Sequence, residues 1–417
     1  MLLQQRKNLS ITETSCRSCG SELLVPILDL GCTPLADRLV RPEKASEEEL
    51  TFPLEVALCS ECTLVQILET VAPEILYADD YPYFSSFSPA LLAHSRANAM
   101  ARADELELDE SSLVIELASN DGYLLKNYVE RGIPVLGIDP AHGPAADAEK
   151  IGVRTLCAFF TEQLAQDVAE RHGRADVIHG NNVLAHVKDT NGFVRGIGHI
   201  LKDDGVAVLE MPHLLPLMEH IEFDTIYHEH HCYFSLTALD KLFRRHGLCI
   251  NHVEQLSLHG GSLRIFAERT ESVDASVTGL LAHERAIGLD SAEYYREFAA
   301  RVAGLRDKLV ALVAQLRAEG KTVAAYGAAA KGATMVNYCG LDHTQIDFVV
   351  DRNVNKQGLL MPGAKIPIMA PEALAEKRPD YVLVLAWNFI DEIVAQQADY
   401  LATGGRFIVP VPEPKVL

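Results

Sequence analysis

Two Cys-x-x-Cys knuckles near the start of the chain, Cys16-Arg-Ser-Cys19 and Cys59-Ser-Glu-Cys62, constrain its fold more than any other feature. Thiolates spaced in two such pairs close a tetrahedral site, and sulfur ligands of this kind suit Zn²⁺. Four protein ligands leave no open coordination position, so the spacing predicts a structural zinc rather than a catalytic one. A domain this small needs such a staple because it has little core of its own. The other five of the nine cysteines stand at no ligand spacing and read as small buried hydrophobes. Between the knuckles, residues 30–37 and the polar run through Glu49 read as turns.

After residue 113, apolar runs alternate with helical periods, the pattern of an α/β sheet. Strands are predicted at 113–117, 134–139, 153–157, 176–180 and 205–211, preceded by a helix over 90–106. The first strand runs into Glu116-Leu-Ala118-Ser-Asn120-Asp121-Gly122, a small-residue turn that opens a helix. The second ends in Asp139, about twenty residues on, where an acid accepts both hydroxyls of an adenosyl ribose. That geometry suits a dinucleotide or S-adenosylmethionine. The turn lacks the G-x-G-x-x-G cradle for a pyrophosphate, and Asn120 and Asp121 suit the carboxylate and ammonium of a methionine, which favours S-adenosylmethionine. Phe159 and Phe160 are placed either to pack on adenine or to fill the core. Asn181 and Asn182, at the carboxyl edge of the fourth strand, face the cofactor or serve as caps, and His186 faces the substrate.

Acid–base side chains concentrate in Tyr227-His228-Glu229-His230-His231-Cys232-Tyr233-Phe234-Ser235. Imidazole titrates near neutrality, and a neighbouring carboxylate keeps it basic. If extended, the stretch puts His228 and His230 on one face and Tyr227, Glu229 and His231 on the other, so spacing alone does not choose the base. A helix at 236–246 and an antiparallel pair at 248–254 and 262–268 follow; this late hairpin is what class I methyltransferases add to a doubly wound sheet. The connection His259-Gly-Gly-Ser262-Leu-Arg264 offers amides and one guanidinium to an anion, or is simply a tight turn. Upstream, Tyr81 and Tyr83 belong to an aromatic, hydroxyl-rich cluster able to line a polar pocket.

Helical periods over 276–319 lead to a second α/β unit. Residues 322–334 read as a strand, a small-residue turn and a helix start, where amides and Lys331 suit a diphosphate. Further strands at 346–351 and 381–386 end at Asp351 and at Trp387-Asn388, and 406–410 is the last. The expected division is a zinc-binding domain at 1–75, a class I (Rossmann-like) methyltransferase domain at 76–275, a helical connector at 276–319 and a smaller Rossmann-like domain at 320–417.

A length of 417 residues exceeds one ordinary core, and 48% hydrophobic with 23% charged residues is a globular composition. The net charge of -21 argues against a nucleic-acid surface. No apolar run approaches a membrane span and the first residues lack a signal-peptide core. A cytoplasmic monomer with neither a membrane nor a nucleic-acid partner is expected.

Together, the two knuckles, the Leu117-Ala-Ser-Asn-Asp-Gly122 turn, Tyr227-His-Glu229-His230 with Tyr233-Phe-Ser, and His259-Gly-Gly-Ser-Leu-Arg264 resemble the nucleotide-sugar C-methyltransferases of deoxysugar biosynthesis over nearly the whole chain. The resemblance implies methyl transfer from S-adenosylmethionine to a ring carbon, usually C-3, of a dTDP-linked 4-keto-deoxyhexose. It implies His230 as general base, Tyr227, Glu229 and His186 as its neighbours, and Tyr81 or Tyr83 reaching the sugar. It also gives the last domain a role in holding the nucleotide sugar. Ser262, Arg264, Tyr326, Lys331, Asp351, Lys356, Trp387 and Asn388 are the expected substrate contacts.

The chemistry fits these residue types. A carbon beside a ketone is acidic enough for an imidazole to deprotonate it, provided the enolate oxygen receives hydrogen bonds. His230 then takes the proton, and His186 or Tyr227 stabilises the oxyanion. Other classes stay open at this level: an O-methyltransferase of a small molecule, an NAD-type oxidoreductase, and a zinc-ribbon binding protein on an inactive methyltransferase fold.

Overall fold

The computed structural model describes residues 9–76 and 84–417, so Tyr81 and Tyr83 lie outside the described residues. Strand pairing gives three principal sheets and a small pair, Ser10–Thr12 with Glu69–Val71. The N-terminal sheet runs Cys232–Tyr233, Val65–Ile67, Thr51–Cys59, Leu24–Pro34, all antiparallel. Residues 30–34, read above as a turn, belong to the long strand Leu24–Pro34. Two register shifts, between Pro26 and Leu28 and between Asp29 and Cys32, break the period-two pattern and account for the misreading.

The central sheet has the order Cys249–Leu256, Ser262–Glu268, Leu201–Pro212, Ala175–Asn181, Val114–Leu117, Val135–Ile138, Thr155–Leu156. The last five are mutually parallel, and the first two add the antiparallel hairpin expected of a class I methyltransferase. Parallel strands are covered on both faces, so they read as continuous apolar runs. Three flanking helices start at side-chain caps: Ser88 accepts from Leu91 N (3.3 Å) for Pro89–Glu105, Asp189 from Gly192 N (2.8 Å) for Thr190–Ile200, and Ser235 from Ala238 N (3.1 Å) for Leu236–Arg245. The polar stretch therefore ends in a helix cap.

The C-terminal sheet runs Ile368–Met369, Val349–Val350, Val323–Tyr326, Tyr381–Val384, Arg406–Val409 in parallel, with Lys415–Val416 antiparallel at the edge. Its first strand in sequence lies in the middle, so the order reverses between Val323–Tyr326 and Tyr381–Val384, where doubly wound sheets bind ligands. The helix Phe298–Ala318 buries Val302, Leu305, Leu309, Val313 and Leu316, a stripe at spacings of three and four. That stripe shares one core with Leu28, Leu54 and Val56 of the zinc-binding unit and with Val323 and Ala325 of the last sheet. At about 1.5–3 kcal/mol for each fully buried aliphatic side chain, the shared core ties the two ends of the chain together. No helix among the described residues is long and apolar enough to cross a membrane.

Candidate active site

The turn after Val114–Leu117 is backbone in an uncommon conformation. Ala118, Asn120 and Gly122 have φ of 59°, 49° and 76°. Left-handed non-glycine residues cost about 1 kcal/mol each or more and persist only where the surroundings over-determine them. Here Asp139 Oδ2 accepts from Asn120 N (2.8 Å), and the amides of Ser85 and Ser86 donate to Asn120 Oδ1 (2.9 Å) and Asp121 Oδ2 (3.1 Å). At Gly122 a Cβ would stand 3.0 Å from Val153 Cγ2. Asp139 also accepts from Ala141 N at 2.8 Å, so its carboxylate is fixed at the end of the second strand where a ribose would meet it.

Beside this turn lies a set of buried polar atoms without hydrogen-bond partners. They comprise both oxygens of Glu116, Asp121 Oδ1, both amide atoms of Asn181, Ser95 Oγ and both amide atoms of Asn98. Burial, with Asp139, Asp121 and Glu210 adding to it, pushes the Glu116 carboxyl well above the usual range. Buried polar groups normally pair, so a cluster of orphans at the carboxyl edge of the sheet fits a polar ligand. Acceptors on Glu116 and Asp121 suit an ammonium, and the Asn98 and Asn181 amides suit a carboxylate, which together are the methionine end of S-adenosylmethionine. Ser95 and Asn98 escaped the sequence reading. Their signal was legible, since both share the inward side of Pro89–Glu105 with Leu91, Ala99 and Ala103, where polar residues are out of place.

Three of the expected contacts, Phe160, Ser262 and Arg264, are committed elsewhere in the fold. Phe160 packs edge-on to Phe193 at 5.2 Å and against Gly196, where a Cβ would come within 2.9 Å, so it fills the core instead of stacking on adenine. Phe159 is 57% exposed. Arg264 donates Nε to Glu210 (2.7 Å) and Nη1 to Glu254 (2.6 Å), which leaves its guanidinium committed to carboxylates rather than to a substrate anion. Ser262 is buried and donates to Leu258 O at 3.1 Å. Gly260 and Gly261 serve close packing on Glu222 and Pro216, so the hairpin turn faces an acid and is no anion cradle. Asn182 holds φ 53° and gives its amide to Glu210 O (2.8 Å).

Residues 227–234 do not form the extended run considered above. A turn brings His230 N onto Tyr227 O (2.9 Å), and only Cys232–Tyr233 is strand. His228 and His230 therefore part company. His228 Nε2 bonds Pro53 O (3.1 Å) in the zinc-binding unit, while His230 turns toward Tyr227 and His186. His230 Nδ1 lies 2.9 Å from Thr225 O; a carbonyl only accepts, so the proton sits on Nδ1. Nε2 is left with a lone pair, which accepts from the Tyr227 hydroxyl at 2.9 Å. The His186 ring stands 4.6 Å from that of His230, edge to face, and burial pushes its pKa down to about 4, so it is neutral near pH 7. Glu229 is buried, and desolvation, reinforced by the Asp37 carboxyl, pushes it up to about 8. Asp37, missed as part of a supposed turn, is also raised by enclosure although one side faces solvent, and Lys356 pulls it back.

Across from this group stand the residues of the last domain. Asp351 Oδ2 accepts from Ala328 N and Oδ1 from Asn353 N, both at 2.8 Å, repeating the arrangement at Asp139. Lys356 Nζ bonds Ala328 O (2.9 Å). Lys331 lies 4.1 Å over the Trp387 ring and bonds Asn388 Oδ1, and Trp387 Nε1 donates to Asp224 Oδ2 (2.7 Å). Tyr326 points into the opposite face of the sheet with Phe348 and Val384, which separates it from Lys331.

The four knuckle sulfurs lie within 4.8 Å of one another, with Cys16 to Cys62 at 3.4 Å and Cys19 to Cys59 at 3.5 Å. Sulfurs around Zn²⁺ at 2.3 Å are separated by about 3.8 Å, so this donor set fits the metal.

The chain matches three family models, described as a zinc binding domain (residues 16–77), a methyltransferase domain (90–253) and a C-methyltransferase C-terminal domain (257–412). It is 39% identical over 405 residues to the C-methyltransferase NovU of Streptomyces niveus, covering 96% of both chains. It is 25% identical over 100 residues to the ubiquinone biosynthesis O-methyltransferase of Azorhizobium caulinodans, covering 23% of this chain and 38% of that one. A solved S-adenosylmethionine-dependent methyltransferase of Clostridium acetobutylicum aligns at 12% identity and TM-score 0.34, over 47% of this chain and 94% of its own.

Proposed function

The chain belongs to the C-methyltransferase family and is an S-adenosylmethionine-dependent enzyme, and on that premise we propose that it methylates a ring carbon next to the ketone of a dTDP-linked 4-keto-deoxyhexose, at C-3. One observation carries this reading: His230 offers a lone pair on Nε2 and Tyr227 a hydroxyl proton, 2.9 Å apart. Enolisation needs that combination, a base for the C–H and a donor for the oxygen that becomes negative.

In the proposed reaction His230 Nε2 takes the C-3 proton and the C–H electron pair moves onto the carbonyl oxygen. Tyr227, released from His230, hydrogen-bonds that oxygen, with neutral His186 beside it. Glu116, Asp121, Asn98 and Asn181 would hold the methionine end of the cofactor, and Asp139 its ribose. When bound, S-adenosylmethionine would supply the electrophilic methyl group for the enolate carbon, the electrons of the S–CH₃ bond staying with sulfur. The zinc takes no part in these steps. Lys331, Trp387, Asn388, Asp351 and Lys356 are assigned to the nucleotide in this reading. Incubation with S-adenosylmethionine and a dTDP-4-keto-2,6-dideoxyhexose, followed by mass and NMR analysis, should yield a new carbon-bound methyl. A methyl on oxygen, with an α-deuterium label retained, would overturn the proposal.

Glu229 adds a pH dependence. With its pKa about 8 instead of the ordinary 4.5, the side chain is protonated at neutral pH. Ionisation is disfavoured in the fold, so stability falls as pH rises from about 4.5 to about 8, and the proton itself is lost through about 8. The negative charge then gained next to His186 is expected to slow reaction, by about tenfold per pH unit for a single essential proton. The Glu229→Gln variant, neutral at all pH, should keep its kcat above pH 8 where the parent declines. Identical alkaline limbs in the two proteins would remove Glu229 from this role.

A further inference from the structure

The carbonyl that sets the tautomer of His230 is itself held from the C-terminal domain. Thr225, whose oxygen bonds His230 Nδ1 at 2.9 Å, closes the short turn Phe223–Thr225. Its predecessor, Asp224, has no solvent exposure and directs Oδ2 at Trp387 Nε1, 2.7 Å away. Trp387 follows the strand Tyr381–Val384, and its indole face carries Lys331 at 4.1 Å. From the other side the Phe223 ring packs edge-on to Tyr338 at 5.2 Å, on the helix Ala330–Cys339. A buried carboxylate is tolerated when it is paired with a donor and faced by a cation, and Trp387 and Lys331 supply both. Burial raises Asp224 to about 6 and Lys331 opposes that rise, so the two sense each other.

We propose that Asp224 is a positioning residue for the base: Trp387 and Lys331 fix Asp224, Asp224 fixes the Thr225 carbonyl, and the carbonyl keeps His230 in the tautomer that presents Nε2 as acceptor. This rests on His230 being the base. The C-terminal domain thereby acts on the chemistry as well as on the substrate, through two hydrogen bonds and one peptide unit. Nothing in the sequence spacing announces the link, because Asp224 and Trp387 are far apart along the chain.

The test uses the full chain with ¹⁵N-labelled histidine, the His230 signals being assigned by their loss in His230→Gln. The parent should show the Nδ1–H tautomer. In Asp224→Ala and Trp387→Phe the other tautomer should appear, with kcat lowered about 10- to 100-fold, the scale seen when the outer partner that orients a metal-bound histidine is removed, and with KM for S-adenosylmethionine unchanged. Asp224→Asn keeps an acceptor for the indole N–H and should restore most of kcat and the parent tautomer, a recovery that a variant failing to fold cannot mimic. A fall in kcat and melting temperature with the tautomer unaltered would show a merely structural tie and overturn the proposal. Methyl transfer persisting in His230→Gln would instead overturn the assignment of the base, a separate outcome.

Discussion

Replacing Cys62 by serine, or stripping the metal with a chelator, is expected to abolish methyl transfer although four sulfur ligands leave the zinc no open position for a reactant. The reason is a set of hydrogen bonds across the chain. Cys232–Tyr233 pairs with Val65–Ile67, three residues beyond Cys62, Ile67 N donates to His231 O (3.1 Å), and His228 Nε2 bonds Pro53 O (3.1 Å). Cys232–Tyr233, just after the turn that carries His230, is therefore an extra strand of the zinc-binding sheet. Structural zinc sites have apparent binding free energies of about 10–16 kcal/mol, comparable with the whole stability of a typical domain at about 5–15 kcal/mol. A serine hydroxyl stays protonated and cannot replace the thiolate. Melting temperature, metal content and turnover should fall together, and zinc added back to the chelated parent should restore all three. Full turnover in protein shown to be metal-free would end this account.

The same pairing explains what the sequence could and could not show. The knuckles, the central strands and the acids at 139 and 351 depend on local spacing, and they were legible. Asp139 and Asp351 even make the same pair of amide contacts in two separate sheets, each locking the turn after the first strand. The shape of residues 227–234 was not legible, because a distant strand, Val65–Ile67, imposes it. Leu24–Pro34 was hidden by its bulges. Arg264 looked free because Glu210 and Glu254 meet it only once strands pair, and Phe160 looked placed for a ligand because Phe193 comes from another element. Asp37 joined Glu229 only through the packing of the zinc-binding unit. Local chemistry survives in one dimension, whereas neutralisation of one charge by another requires the fold.

His230→Ala should lower kcat by about 10²- to 10⁴-fold, the usual contribution of a general base, while S-adenosylmethionine binds as before, since Asp139, Glu116 and Asn98 are untouched. Overall rate alone does not separate loss of the base from a displaced substrate, so proton removal has to be observed by itself. With S-adenosylhomocysteine in place of the methyl donor, the parent enzyme in D₂O should exchange deuterium into the carbon next to the ketone, and His230→Ala should not. Tyr227→Phe is the informative companion. It removes the hydroxyl that donates to Nε2 but leaves the Thr225 bond and hence the tautomer. The lone pair remains, the donor to the enolate oxygen is lost, and exchange should slow rather than stop. If Tyr227→Phe silences exchange as completely as His230→Ala, the proton leaves through the phenol, with the imidazole as its acceptor, and the order of the two residues in the proton path is reversed. Exchange at the parental rate in His230→Ala would remove the imidazole from the path altogether.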